Sequence, residues 1–130
     1  MTPFALLLQI SGLSQREAAN FLRISPAMVD KMSRGVRATP RGVLTELRGL
    51  IERQEKAADT ALQIIEDSAP PEIDIGYPVD DREAQARGWP CVGAWRGMAA
   101  RVVAAVDAPV LLVPAGAAVG TAAASDKAGR

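Results

Sequence analysis

The feature that most constrains the fold is a pair of helix-start signals separated by one short turn. Ser14 and Glu17 form a Ser-x-x-Glu capping box, in which each side chain accepts a hydrogen bond from the other residue's backbone. Ser25 can cap a second helix, and Pro26 stands at its first position, where the missing N–H is harmless. Gly35 can adopt the left-handed conformation that commonly ends a helix. The sequence therefore predicts two short helices joined by a tight turn.

Further helices are predicted on both sides of this pair. Residues 3–11 are apolar and compatible with a helix, and Gly12 follows them. Thr39 and Pro40 carry the signals of an N-cap and a first helical residue. Apolar residues then recur at three- and four-residue spacing, which predicts a long amphipathic segment. This segment is either one helix or two helices with a break near Lys56.

The pattern changes after the stretch "APPE" at residues 69–72, because consecutive prolines cannot continue a helix. Alternating apolar residues in "EIDIGYPVDD" predict a strand, "WPCVGAWRGMAARVVAAV" predicts a helix, and "APVLLVP" predicts a second strand. The fold class is mainly α, with a small strand-helix-strand region. We expect a helical domain at 1–68, a small α/β region at 72–114 and a disordered tail at 115–130.

Composition argues against an enzyme. The chain has no histidine, which removes the commonest general base and metal ligand, and its single cysteine, Cys91, cannot form an internal disulfide. Without a histidine partner, this thiol is interpreted as structural. One acidic cluster could bind Mg²⁺, but carboxylates after a strand are more typical of a solvated turn. We expect no catalytic residue, metal or cofactor. The cluster consists of Asp74, Asp80, Asp81 and Glu83.

Charge is distributed unevenly, although Lys and Arg together number 15 and Asp and Glu together also number 15. Between residues 16 and 41, basic residues outnumber Glu17 and Asp30, whereas residues 61–130 carry an excess of acidic groups. This asymmetry favours a polyanionic partner for the N-terminal part alone. The start "MTPFALLLQI" has no basic segment and only a short apolar run, so we expect a cytoplasmic protein without membrane contact. The lone cysteine agrees with a reducing compartment.

The stretch "GLSQREAANFLRISPAMVDKMSRGVRATP" resembles the helix-turn-helix of phage-repressor-type regulators, the Cro/C1 or XRE group. That pattern runs Gly-Leu-Ser-Gln-x-Glu-x-Ala-x-x-Leu-Gly-Val-Ser, followed by an apolar pair and a closing glycine. The chain departs from it at Arg23, where the family usually has glycine. The residues that match in register are Gly12, Leu13, Ser14, Gln15, Glu17, Ala19, Leu22, Ile24, Ser25, Val29, Met32 and Gly35.

This resemblance implies that the chain binds double-stranded DNA. The site residues that we expect at the DNA are Gln15, Ser25, Pro26, Ala27, Asp30, Lys31, Arg34, Arg37 and Arg41. Pro26 and Ala27 offer only apolar contact, for example to a thymine methyl group. Lys31 can donate to guanine, and Asp30 can accept from a cytosine amino group. The other residues implied at phosphates give affinity without sequence information.

The order of elements behind this segment, with Gly93, Trp95 and Arg96, resembles the anti-CRISPR-associated autorepressors. This resemblance implies a repressor that binds an inverted repeat in its own operon's promoter, with the C-terminal region as a dimerisation module. Because a two-stranded sheet is too small to bury both faces alone, we expect a homodimer. The predicted shared core contains Trp95, Val102, Val106 and Leu111.

Two other functions stay open. An antitoxin uses the same DNA-binding fold but has a toxin as its partner, and the acidic C-terminal half would suit that role. RNA binding is also compatible with a basic helical face.

Overall fold

The computed structural model of the chain describes residues 1–115, so the expected disordered tail lies outside the described residues except for residue 115 itself. Within residues 1–115 the chain is mainly helical, with one small parallel sheet. In chain order the elements are α1 (Pro3–Ser11), α2 (Gln15–Leu22), α3 (Pro26–Arg34), α4 (Arg41–Ser68), β1 (Ile73–Tyr77), α5 (Asp81–Ala86), α6 (Val92–Ala105) and β2 (Val110–Pro114).

The first three helices begin and end at the predicted signals. Ser14 and Glu17 form both hydrogen bonds of the capping box at the start of α2. The Ser25 hydroxyl accepts from the N–H of Met28 at the start of α3. Arg23 ends α2 in the left-handed region, at φ 58° and ψ 44°. A non-glycine residue adopts this conformation at modest cost, so the turn keeps its path without a glycine.

The long segment after α3 is one unbroken helix, with no interruption near Lys56. Its predicted start was wrong by one residue. Pro40, with ψ 147°, occupies the N-cap position, and no side chain caps the helix there. The carbonyl of Pro40 accepts from the N–H of Val43, so backbone geometry starts the helix and Thr39 is not its cap. Ala69, at φ 43°, ends the helix before the two prolines.

The two strands pair in parallel, with Ile73 opposite Val110 and Tyr77 opposite Pro114. The connection between them runs through α5 and α6. The solvated turn expected for the acidic cluster is instead the start of α5. The Asp80 carboxylate accepts from the N–H of Glu83 and caps this helix. The Asp81 carboxylate accepts from the N–H of Val92 and so joins the start of α5 to the start of α6.

One hydrophobic core runs through both the N-terminal helices and the strand-helix-strand region. Phe4 of α1, Val29 of α3 and Leu47 of α4 are almost fully buried in it. Ala94 and Val102 of α6 belong to the same core, and α6 packs along α4. The apolar face of α6 is therefore buried against the helices that precede it, whereas Leu111 and Leu112 of β2 stay exposed.

A buried amide holds three helices together at the centre of this packing. Gln54 of α4 is fully buried, and its Nε2 donates to the carbonyl of Ser11 at 2.7 Å and to that of Ala94 at 2.9 Å. Gly97 of α6 allows this approach: a Cβ there would lie 2.5 Å from Gln54 Nε2 and 2.5 Å from the Ser11 carbonyl oxygen. A larger residue would push α6 away from α1 and α4.

Replacement of Gly97 by alanine is expected to lower the free energy of unfolding by about 1–3 kcal/mol, because the added methyl group overpacks this contact. Gly49→Ala in α4 is the matched control, since nothing lies within 4 Å of a Cβ at that position. The control should raise the free energy of unfolding by about 0.5–1 kcal/mol through helix propensity. Urea unfolding followed by circular dichroism measures both values. Equal effects of the two substitutions would contradict the packing described for Gly97.

Candidate nucleic-acid interface

Two short helices, α2 and α3, carry most of the residues that the resemblance implies at DNA. Ala18 and Ala19 of α2 are buried, and their small side chains let α3 approach closely. Val29 and Met32 of α3 are 0% and 1% exposed, so one face of α3 is held in the core. The Thr2 hydroxyl, at the start of α1, lies 3.1 Å from the Ser33 carbonyl oxygen and donates to it.

The opposite face of α3 is open to solvent. Pro26, Ala27, Lys31 and Arg34 are exposed, and Asp30 is half-buried. These positions recur at three- to four-residue spacing, so they lie on one side of the helix. The structure therefore brings these predicted residues of α3 together on a single exposed face.

Asp30 and Arg34 form an ion pair on this face, with 2.9 Å between Arg34 Nη2 and Asp30 Oδ2. The Arg34 Nε also donates to the same carboxylate oxygen. The side chains of Arg34 and Asp30 are 58% and 44% exposed, and an ion pair so open to water contributes only about 0–1 kcal/mol. Lys31 has no ion pair within residues 1–115. Of the charged groups on this face, the lysine is thus the one without a counter-charge.

The remaining predicted contacts surround α3. Gln15 is exposed at the first position of α2, and Ser25 is exposed while its hydroxyl accepts the cap hydrogen bond. Arg37 is exposed in the loop after α3, and its N–H donates to the Lys31 carbonyl. Arg41 is exposed at the first position of α4. The side chains of Arg37 and Arg41 therefore extend the basic surface of Lys31 and Arg34 through the loop to the start of α4.

The residues predicted for a shared dimer core lie in different environments. Trp95 and Val102 are 6% and 3% exposed within the single chain, because α4 and the other helices already cover them. They have little surface to offer a second copy. Val106 is half-buried, whereas Leu111 of β2 is 50% exposed. Leu112 has the same exposure but was not among the predicted contacts. The apolar run "VLLV", which contains both leucines, was the sequence signal that could have pointed to Leu112.

Glu17 links the start of α2 to the start of α6, which sequence reasoning did not predict. Its Oε2 accepts from the N–H of Gly93 at 2.8 Å, and its Oε1 accepts from the N–H of Ser14 at 3.0 Å. Partial burial tends to raise the pKa of this carboxyl. The two backbone hydrogen bonds, with those from the Cys91 thiol and the Ser14 hydroxyl, outweigh burial and lower the pKa below 4.5.

Cys91 is buried beside this carboxylate at the N-cap position of α6. Burial raises the pKa of its thiol to about 11, and the negative charges of Glu17 and Asp81 act in the same direction. The thiol is therefore protonated at neutral pH and donates to Glu17. This arrangement agrees with a structural cysteine, because a reactive cysteine needs its thiolate form.

No protein-family model matches the chain, and no curated protein matches it. None of the helices in residues 1–115 combines the length and the apolar character that a membrane span requires. Within the same residues, no group of three or more histidine, cysteine, aspartate or glutamate side chains could hold a metal ion.

Glu17 should make the stability of the protein depend on acid pH. Because its pKa is lower in the folded chain than in the unfolded chain, its contribution is fully present above about pH 4.5. That contribution is lost as the pH falls through the folded-state pKa. Urea unfolding between pH 3 and pH 6 should show a shallower loss of stability in Glu17→Gln than in the unsubstituted protein.

Glu46→Gln is the control for this measurement, since Glu46 is an exposed residue of α4 whose side chain makes no hydrogen bond or ion pair within residues 1–115. It should retain the full pH dependence. If Glu17→Gln keeps the same dependence as Glu46→Gln, the carboxylate does not link α2 to α6 in the way described.

Proposed function

We propose that α2 and α3 form a helix-turn-helix of the XRE type and that the chain is a sequence-specific DNA-binding transcriptional repressor. The observation that carries this proposal is the exposed face of α3, on which Pro26, Ala27, Asp30, Lys31 and Arg34 lie together. The opposite face is held by Val29 and Met32 in the core. A short helix seated in this way can enter the major groove while the rest of the domain contacts the backbone.

Sequence discrimination in this proposal rests on few side chains. Lys31 donates to guanine O6 or N7, and Ala27 with Pro26 contacts thymine methyl groups. Asp30 is held by Arg34 in the free protein. Because an exposed ion pair of this kind is weak, Arg34 can exchange Asp30 for a phosphate at little cost. Asp30 is then released to accept from a cytosine amino group.

Affinity in the proposal comes mainly from phosphate contacts. Arg34, Arg37 and Arg41 supply positive charge at the end of α3, in the loop and at the start of α4. Gln15 and Ser25 can donate to phosphate oxygens at the first turns of α2 and α3. These contacts position the protein, and binding should weaken as salt rises.

The repressor acts as a homodimer in this proposal, with an inverted repeat in its own operon's promoter as the target. One short helix reads only a few base pairs, whereas two copies related by a two-fold axis read half-sites roughly 34 Å apart. Since Trp95 and Val102 are buried in the single chain, the exposed Leu111 and Leu112 of β2 are the surface that the pairing uses. In this proposal the protein acts in the manner of the anti-CRISPR-associated autorepressors.

An electrophoretic mobility shift against the DNA upstream of the chain's own operon tests DNA binding. Lys31→Ala should relax the preference at one base pair by about 1–3 kcal/mol, measured with single-base variants of the site. Arg34→Ala should weaken binding to all of these sequences alike and reduce the dependence on salt. Lys56→Ala, an exposed lysine in the middle of α4, is the charge-matched control and should bind as the unsubstituted protein does.

If neither Lys31→Ala nor Arg34→Ala weakens binding while both remain folded, α3 is not the reading helix. A shift that depends equally on Lys56 would indicate attraction by net charge alone.

The dimer is tested by size-exclusion chromatography with light scattering. The unsubstituted protein should be a dimer at micromolar concentration, and Leu111→Lys should shift it to a monomer, because the lysine places a charge in an apolar contact. Val36→Lys is the control, since Val36 is 65% exposed in the loop after α3 and far from β2 in sequence. A monomeric unsubstituted protein, or a dimer that withstands Leu111→Lys, would contradict pairing through β2.

A further inference from the structure

Strand β2 uses one of its two edges to pair with β1. At the start of the pairing, the Ile73 N–H donates to the Pro109 carbonyl at 2.9 Å. At its end, the Ala115 N–H donates to the Tyr77 carbonyl at 3.1 Å. Because the backbone groups of successive strand residues point to alternate edges, the odd-numbered residues from 109 to 115 are those that face β1.

The opposite edge of β2 is formed by the backbone groups of Val110 and Leu112. Their N–H and C=O groups have no hydrogen-bond partner within residues 1–115, where the sheet consists of two strands. Pro114 is the next residue that points this way, and it has no N–H to offer. The open edge is therefore short, and its unpaired groups are a template for one more strand.

The side chains of β2 leave this edge open as well. Leu111 and Leu112 are each 50% exposed, and as neighbours in a strand they point to opposite faces of the sheet. Exposed edge strands usually carry charges that prevent pairing, whereas the strand "VLLVP" has none. An added strand would thus cover apolar surface on both faces of β2.

The charges of the sheet favour β2 over β1 as the edge at which two copies meet. Asp74 lies within β1, and Glu72 directly precedes it. Two copies of β1 placed side by side would bring these like charges together, which is unfavourable. Two copies of β2 meet no such repulsion. Pairing through β2 alone also closes at two copies, because each sheet then ends at the acidic β1.

The backbone of β2 is complementary to itself in one antiparallel register. When Leu111 lies opposite Leu111 of the second copy, Val110 lies opposite Leu112 of that copy. Each of these facing residues exchanges its N–H and C=O groups with the other, so all the unpaired groups gain partners. A shift by one residue turns these groups away from each other. A shift by two residues can place Pro114 opposite Val110, whose carbonyl then lacks a donor.

We propose that the open edges of β2 from two copies of the chain pair antiparallel, with Leu111 facing its own counterpart on the two-fold axis, to form one continuous sheet of order β1-β2-β2-β1. The inference rests on the homodimer of the proposed function and specifies the backbone pairing and the register by which it forms.

Cysteine cross-linking of the full chain tests this register. Facing residues of a pair without mutual hydrogen bonds have Cα atoms about 4.5 Å apart, within the about 4.4–6.8 Å of disulfides. Leu111→Cys should therefore form a disulfide-linked dimer with the oxidant diamide. Leu112→Cys is the control, because Leu112 is equally exposed but lies diagonal to its counterpart, at about 7–8 Å. It should cross-link at least about tenfold more slowly. The unsubstituted protein, whose Cys91 is buried, is the blank.

A proline substitution tests the backbone hydrogen bonds. Leu112→Pro removes an N–H that the single copy does not use, and proline is tolerated where an edge strand faces solvent. Leu112→Ala is the control, since it also removes the leucine side chain but keeps the N–H. Light scattering at micromolar concentration should show a monomer for Leu112→Pro and a dimer for Leu112→Ala. If circular dichroism shows that Leu112→Pro does not fold, the comparison of the two cysteine variants decides the question.

The outcomes separate this pairing from the proposed repressor. Equal cross-linking of the two cysteine variants, or a folded Leu112→Pro that stays dimeric, overturns the strand pairing and leaves a dimeric repressor in place. A monomeric unsubstituted protein overturns the pairing and the homodimer together, while the mobility shift still decides DNA binding by α3. Rapid cross-linking of Leu111→Cys in a protein that shifts no DNA supports the pairing and contradicts the repressor.

Discussion

The fully buried amide of Gln54 is the interaction on which the arrangement of the helices depends. It donates to the carbonyl groups of Ser11 and Ala94, and so joins α4 to the end of α1 and to the start of α6. The Arg101 Nη1 donates to the Gln54 Oε1 at 3.4 Å and to the Gly97 carbonyl oxygen at 2.8 Å. A buried amide that lost these partners would be costly, so the three helices are held in one relative position.

This constraint makes the C-terminal region a support for the N-terminal helices. Glu17 adds a second connection, because its carboxylate accepts from the start of both α2 and α6. Since α2 packs on α3, the exposed face of α3 is positioned through this chain of contacts relative to α6. In the proposed dimeric repressor, the distance between the two α3 helices then depends on two things. One is the set of contacts from α3 through α2 to α6 within each copy, and the other is the pairing of β2 between the copies.

Local signals in the sequence were sufficient for most element boundaries. The capping box of Ser14 and Glu17 and the turn at Arg23 depend on neighbours within a few residues, and the structure confirms both. The prediction of Thr39 as the N-cap of α4 was wrong. Thr39 and Pro40 both carry signals of a helix start, and the backbone geometry puts Pro40 at the N-cap position. Helix α5 was missed since its acidic residues, typical of a turn, also satisfy the N–H groups at a helix start.

The sequence by itself determined the limits of the short helices and the composition of the exposed face of α3, because caps and helical spacing act over one or two turns. The tertiary structure alone decided which long-range hydrogen bonds the polar side chains make. Gln54 had the pattern of an ordinary helix-surface residue and Glu17 that of a local cap, yet Gln54 bonds to Ser11, 43 positions away, and Glu17 also bonds to Gly93, 76 positions away. The same holds for Trp95 and Val102, which the single chain buries. Such environments arise from packing between distant elements, and no local spacing records them.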